Sequence, residues 1–271
     1  VNVMGRKVID KTGERNINNF GSEMVIVNSY MKFNDKHKRN YTYVDVYFPE
    51  YDWTFKGTTY QTFKNGNIKC PYEARVFGKG YFGEGEYKSK ENGKQTRVYD
   101  TWNHMLERCY DEKYHKKKPT YIGCETSEYF LNFQKFGDWD EGNYYEVEGE
   151  TMCLDKDILV KHNKIYSPET CIYVPQTINL LFTKRQNDRG ESVIGTTPKN
   201  GKYVVHCNLL NPETGKSKLK NLGYYETQEK GFEVYKYYKE RNIKEVADYY
   251  KDEIPQKLYN AMYNYEVEIT D

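Results

Sequence analysis

The chain has no pair of cysteines at Cys-x-x-Cys spacing, although six cysteines occur, at 70, 109, 124, 153, 171 and 207. That spacing removes zinc knuckles and ribbons and leaves buried, reduced thiols as the expectation. There is almost no net charge: 41 Lys and Arg stand against 40 Asp and Glu, a formal +1. Nucleic-acid binding therefore does not follow from the whole chain, and charge has to be read by segment. No apolar run approaches the roughly 18 residues that a membrane span needs. Nothing at the start reads as a signal peptide, so a cytoplasmic protein with no membrane partner is expected. A phosphate loop is missing too. Gly78, Gly80, Gly83 and Gly85 lie in "GKGYFGEGEYKSK", but no Gly-Lys-Ser/Thr follows them, and the stretch reads as a flexible connector or tight β-turn.

What the chain has in quantity is tyrosine, 29 residues, within an aromatic content of 16% and a hydrophobic content of only 37%. Tyrosine buries a ring and keeps its hydroxyl wet, which suits small, half-exposed cores and polar interfaces. A length of 271 residues allows two or three such domains.

The pattern predicts an α+β chain in three parts. Residues 1–80 form a β-rich module, because "EMVIVNSY", "YTYVDVYF" and "WTFKGTTYQTF" are β-branched and aromatic. "FNDKHKRN" and "KNGN" separate them as turns, with Gly66 marking a hairpin. In the second part, residues 81–190, Trp102, Met105, Leu106 and Cys109 predict a helix over about 99–110. A basic loop with His115 and Lys116 follows, and a second helix is expected over "SEYFLNFQKFGDW". In the third, residues 191–271, strands at "SVIGTT", "KYVVHCNL" and "KSKLKNLGYY" precede a long helix that Thr227 caps, and Pro255 starts a last short one.

Charge is polarised along the chain. Residues 124–157 hold ten acids against Lys135 and Lys156. Residues 184–220 hold Lys184, Arg185, Arg189, Lys199, Lys202, Lys216, Lys218 and Lys220 against three acids. The second stretch is a candidate nucleic-acid surface; the first is a solvated face, a metal-binding region or a lure for a basic host protein.

Two stretches resemble a known family. "YDTWNHMLERCYDEKYHKKKPTY", "NFQKFGDW" and "LDKDILVKHNKIYSPETCIYVPQTIN" are similar to HNH-like endonucleases of bacteriophages and mobile elements. "IGTTPKNGKYVVHCN" with "LKNLGYYETQEKGFEVY" resembles the AP2-type DNA-binding module that often follows. The resemblance implies a central ββα-metal core, with strands near 153–158 and 171–174 and a helix from about Gln176, and then a three-stranded sheet backed by a helix. It implies a nicking or homing endonuclease in a host cytoplasm, with Asp155 and Asn179 holding one Mg²⁺ or Mn²⁺ and Asn163 orienting the hairpin. Lys156 stands where the family has its general-base histidine.

A lysine starts near pKa 10.4, so serving as a base near neutrality would need a drop of roughly three units, about 4 kcal/mol. Asp155 and Asp157 flank Lys156 in sequence and push the other way when close. His162 is the nearest substitute. The alternatives to a nuclease are a DNA-binding regulator that keeps the nuclease shell as scaffold and an interaction protein that inhibits a host factor through its acidic segment. Lys216, Lys218 and Lys220 alternate and so share one face of a strand, as Lys202 and His206 do on the neighbouring strand. A basic sheet face fits double-stranded DNA, with the lysines on phosphates and Asn208 or Asn221 as candidate base readers. Arg108 either grips a phosphate or pairs with the acidic stretch.

Overall fold

The computed structural model describes residues 9–183 and 192–271. It is a mixed α+β fold with several sheets, and among the described residues no helix is long and apolar enough to cross a membrane. The described residues fall into two compact units. One runs to Ile122 and takes in Glu128–Gly137; the other comprises Gly123–Ser127 and Asp138–Asp271.

In the first unit, strands β1 (Arg15–Ile17), β2 (Glu23–Asn34), β3 (Arg39–Phe48) and β4 (Trp53–Thr59) form an antiparallel sheet in that order. Met24, Ile26, Val44, Val46 and Phe48 point to one side and are buried with Phe63 and Ile68. The sequence reading carries the last strand through "YQTF", but the chain turns helical there, as α1 (Tyr60–Lys64). Thr59 sets the change, since its hydroxyl accepts the Thr62 N–H at 3.1 Å. Asn65-Gly66 is then a helix end and not a hairpin. Gly66 has φ +69°, its N–H donates to the Phe63 carbonyl, and a side chain on it would collide with Asn19.

A small hairpin follows, β5 (Lys90–Glu91) with β6 (Lys94–Gln95), then α2 (Arg97–Tyr110), capped by the Thr96 hydroxyl. The expected basic loop is a short helix, α3 (Glu112–Lys117), because Asp111 caps it through the Lys113 N–H. The glycine-rich stretch opens on a tight turn, with Val76 and Gly80 bridged and Gly78 at φ +69°, and is packed, not a flexible connector. Gly80 lies so close to Trp102 and Leu106 that an added Cβ would sit 2.3 Å from the Leu106 methyl.

Strand β7 (Glu125–Thr126) belongs to the second unit, α4 (Glu128–Leu131) to the first, and α5 (Phe133–Asn143) begins in the first and ends in the second. The predicted single helix breaks at Asn132, whose Oδ1 accepts the Gln134 N–H at 2.9 Å and restarts the helix as a cap.

The second unit continues with β8 (Met152–Asp155), β9 (Ile165–Tyr166), which runs parallel to β7, β10 (Ile172–Pro175), antiparallel to β8, and α6 (Gln176–Leu181). Then come β11 (Thr196–Lys199), β12 (Lys202–Asn211), β13 (Lys216–Tyr225), α7 (Gln228–Tyr250) and α8 (Gln256–Tyr263). The strands β11–β12–β13 form one antiparallel sheet. α7 packs on it through Gly231 and Tyr235 against Thr196, Val205 and Cys207. Lower down, Ile243, Val246 and Ala247 of α7 share a core with Leu210, Val174 and Ile178, tying the sheet to the hairpin β8–β10 and α6. Burial of each Val, Leu or Ile side chain among these stabilises by about 1.5–3 kcal/mol.

Candidate functional site

β8 and β10 pair with Asp155 opposite Ile172, and α6 starts directly after Pro175, the Gln176 N–H bonding the Thr151 carbonyl. β8 stops at Asp155 for a local reason. Asp155 Oδ1 accepts the N–H groups of Asp157 (2.9 Å) and Ile158 (2.7 Å), which turns the chain out of the ladder. Burial, and then the nearby Asp157 carboxylate, push the Asp155 pKa up to about 6. No hydrogen bond reaches its Oδ2 among the described residues.

Lys156 is 7% exposed. Its ammonium donates to Asp157 Oδ2 at 3.0 Å and lies 5.7 Å from the centre of the Tyr166 ring. Burial alone would lower its pKa, but the Asp157 carboxylate, with Cys124 and Asp155 behind it, outweighs burial and holds the pKa above the usual lysine value. A cation so held does not take protons from water at neutral pH. The neighbouring thiols are held toward their protonated form. Burial raises Cys124 and pushes Cys171 up to about 12.

Asn163 fastens the loop. Its amide donates to the carbonyls of Lys156 and Ile165, each at 2.7 Å, and its Oδ1 accepts the Ile165 N–H. Asp155, Lys156 and Asn163 are therefore brought together in one turn. Asn179 lies half-buried on α6, between Ile178, which is buried, and Leu180, which is exposed. His162 is turned elsewhere, held in the left-handed region at φ +64°. Its Nε2 lies 3.1 Å from Glu268, in a group with Asp271. That group already has a cation, since Lys161 Nζ sits 3.3 Å from Glu268 and 3.0 Å from Asp271.

The acidic stretch divides: Glu125, Glu128, Asp138, Glu141, Glu146 and Glu148 are exposed, and others are bonded inward. Asp140 accepts from the Tyr173 hydroxyl, Glu150 accepts from the Tyr250 hydroxyl and the Thr177 N–H, and Asp157 holds Lys156. In the other unit, the Arg108 guanidinium lies over the Tyr121 ring at 5.7 Å.

The sheet β11–β13 corrects the expected basic face. Residues opposite one another in an antiparallel pair share a side. Lys220 is opposite Cys207, Lys218 opposite Leu209, and Lys216 opposite Asn211. Cys207 is buried against α7, so the three lysines are on the α7 side, and the Lys220 ammonium lies 5.1 Å from the Tyr238 ring of that helix. Lys202 and His206 are on the other side by strand alternation. The five residues do not form one surface. The cause is a β-bulge: Val205 pairs with Gly223 and His206 with Asn221, leaving Leu222 without a partner and reversing the alternation of β13. "Leu-Gly" within a strand was the one signal of it in the sequence. By alternation the other side carries Lys202, Asn208, Leu219, Asn221 and Tyr224, which are exposed, and His206, which is half-buried. It also carries Val204 and Leu210, which are buried, Leu210 in the core it shares with the lower part of α7. Lys202 pairs with Glu226 at 2.6 Å, and Asn221 Oδ1 accepts the Gly223 N–H. Lys184 and Arg185 lie outside the described residues.

No family model, no curated protein and no solved structure matches this chain.

Proposed function

We propose that this chain binds double-stranded DNA through the side of the β11–β13 sheet that faces away from α7, and that its ββα hairpin is a structural element and not a hydrolytic centre. The observation that carries the reading is the content of that surface. Asn208, Asn221, His206 and Lys202 are the side-chain types that pair with base edges in a major groove, and they stand exposed or half-exposed on a sheet braced by a helix. The lysine row contributes general attraction from the rim and not base contact. Lys156, charged and tied to Asp157, supports the hairpin's structural role.

Gel shifts on a mixed pool of duplexes at rising salt test the reading. Binding that weakens on Asn208→Ala supports it. No retardation at low salt and high protein excess overturns it.

A second reading keeps the nuclease, and Asp155 favours it. A carboxyl pushed up to about 6, beside a second acid and with one oxygen unbonded, suits a cation that would relieve the repulsion. Asp155 and Asn179 would hold one Mg²⁺ or Mn²⁺, which would polarise a phosphodiester, with Lys156 steadying the phosphate. Supercoiled plasmid with Mn²⁺ decides between the two. Open circles that vanish in Asp155→Ala establish the nuclease; intact plasmid at excess protein removes it.

A further inference from the structure

The sheet β1–β4 of the first unit has two unlike faces. In β3, Val44, Val46 and Phe48 point into the core, so Tyr41, Tyr43 and Tyr47, which alternate with them, point outward. Pairing places Tyr30 opposite Tyr43, Lys32 opposite Tyr41 and Asn34 opposite Arg39, all on that outward face. The four tyrosines are half-exposed, and Lys32 and Arg39 are exposed. The Tyr30 and Tyr43 rings are stacked, 6.2 Å apart at 23°. The Lys32 ammonium lies 5.5 Å from the centre of the Tyr43 ring, and the Arg39 guanidinium 4.6 Å from that of Tyr41. The turn beyond adds Lys36 and Lys38, so four cations gather here against Asp35.

Cross-strand pairing stabilises a sheet by about 0.2–1 kcal/mol per pair and accounts for Tyr30 with Tyr43. It accounts as well for Tyr47, whose partners Val25 and Thr54 are β-branched. It does not account for Tyr41, whose partner is Lys32 and whose hydroxyl accepts from Arg39 Nε at 2.7 Å. A row of rings interleaved with cations is the composition that binds unstacked bases and their phosphates together.

We propose that this outward face binds single-stranded DNA, with bases on the Tyr30, Tyr41 and Tyr43 rings and phosphates on Lys32, Arg39 and the turn lysines. Ring faces serve only bases that are out of a duplex, because a duplex offers edges. Recognition of RNA would ask for polar groups ready for a 2′-hydroxyl. Asp45, on this face, is already bonded to Asn28 (3.0 Å) and to the Gly57 N–H (2.8 Å). The site lies in the other unit from the duplex-reading sheet and does not depend on it.

The test is fluorescence anisotropy of the full chain with a labelled oligothymidylate of about 15 nucleotides. Tyr41→Leu weakens binding about five- to hundredfold, while Tyr41→Phe, which keeps the ring, stays within about twofold. Lys32→Gln with Arg39→Gln lowers the salt slope by about 0.7 for each phosphate that is no longer neutralised. Asn208→Ala leaves this binding unchanged, which separates it from the sheet of the second unit. The proposal is overturned if Tyr41→Leu unfolds at the wild-type temperature and binds as tightly as wild type. It is also overturned if an abasic strand of equal length binds equally well, if Tyr41→Leu weakens duplex binding to the same degree, or if oligouridylate binds more tightly than oligothymidylate.

Discussion

The β8–β10 hairpin and the β11–β13 sheet carry the same kinds of side chain, Asp, Asn, Lys and His, and differ in what those side chains already touch. In the hairpin, Asp155 caps a turn, Lys156 is paired with Asp157, and Asn163 is bonded on both sides of its amide. On the sheet, among the described residues, Asn208 is exposed and its side chain makes no hydrogen bond, while Lys202 is exposed and paired only with the exposed Glu226. A polar group whose partners lie in its own loop holds that loop; one whose partners are absent from its own chain is available to a ligand. The difference separates two regions that composition alone would rank together.

Four substitutions break or sharpen this contrast. The largest effect belongs to Asn163→Ala, which removes three hydrogen bonds from one turn and costs about 2–4 kcal/mol in chemical denaturation. An unchanged midpoint would mean the turn does not depend on Asn163. Next comes Asp155→Asn, which keeps the Oδ1 acceptor and removes the charge. A carboxyl whose folded pKa, about 6, lies above its unfolded value stabilises fully below the unfolded pKa and loses that contribution as pH rises through about 6. Asp155→Asn should therefore raise stability at pH 7 by about 1–3 kcal/mol and leave it level near pH 3. Parallel unfolding curves at the two pH values check it.

On the sheet, Asn208→Ala should weaken specific duplex binding by about 1.4 kcal/mol, a tenfold rise in Kd, with little change in thermal unfolding. The smallest effect is expected of the row that looked most like a DNA contact. Replacing Lys216, Lys218 and Lys220 together by Gln should flatten the salt slope by less than the roughly 0.9 per lysine of a direct phosphate contact. A slope change near three in isothermal titration would place the duplex on the α7 side and reverse the contrast.

Much of this layout is legible in the sequence where a single local rule decides. Trp102, Met105, Leu106 and Cys109 give α2 its buried stripe, Thr227 caps α7, and Pro255 precedes the start of α8. Legibility fails where one side chain redirects the backbone. Thr59 converts a strand to α1, Asn132 splits a helix into α4 and α5, and Asp155 ends β8 two residues after Cys153. Each residue type is common in strands, helices and loops alike, so only the bond it makes distinguishes its role. The candidate site divides in the same way. The turn formed by Asp155, Lys156 and Asn163 follows from spacing, since all three lie within nine residues. The direction of His162 depends on Glu268, more than a hundred residues away, and no pattern near His162 announces it.

The unpartnered Leu222 gives the molecule a second way to be assembled. Removing one residue from the turn at 212–215 would draw β13 one place toward the turn and absorb the bulge, so that Lys220 would come to lie across from Asn208. The ammonium groups of Lys218 and Lys220 would then cross to the opposite surface, and Lys216 would pass into the turn. Which side of this sheet is electropositive is thus decided by the length of a loop.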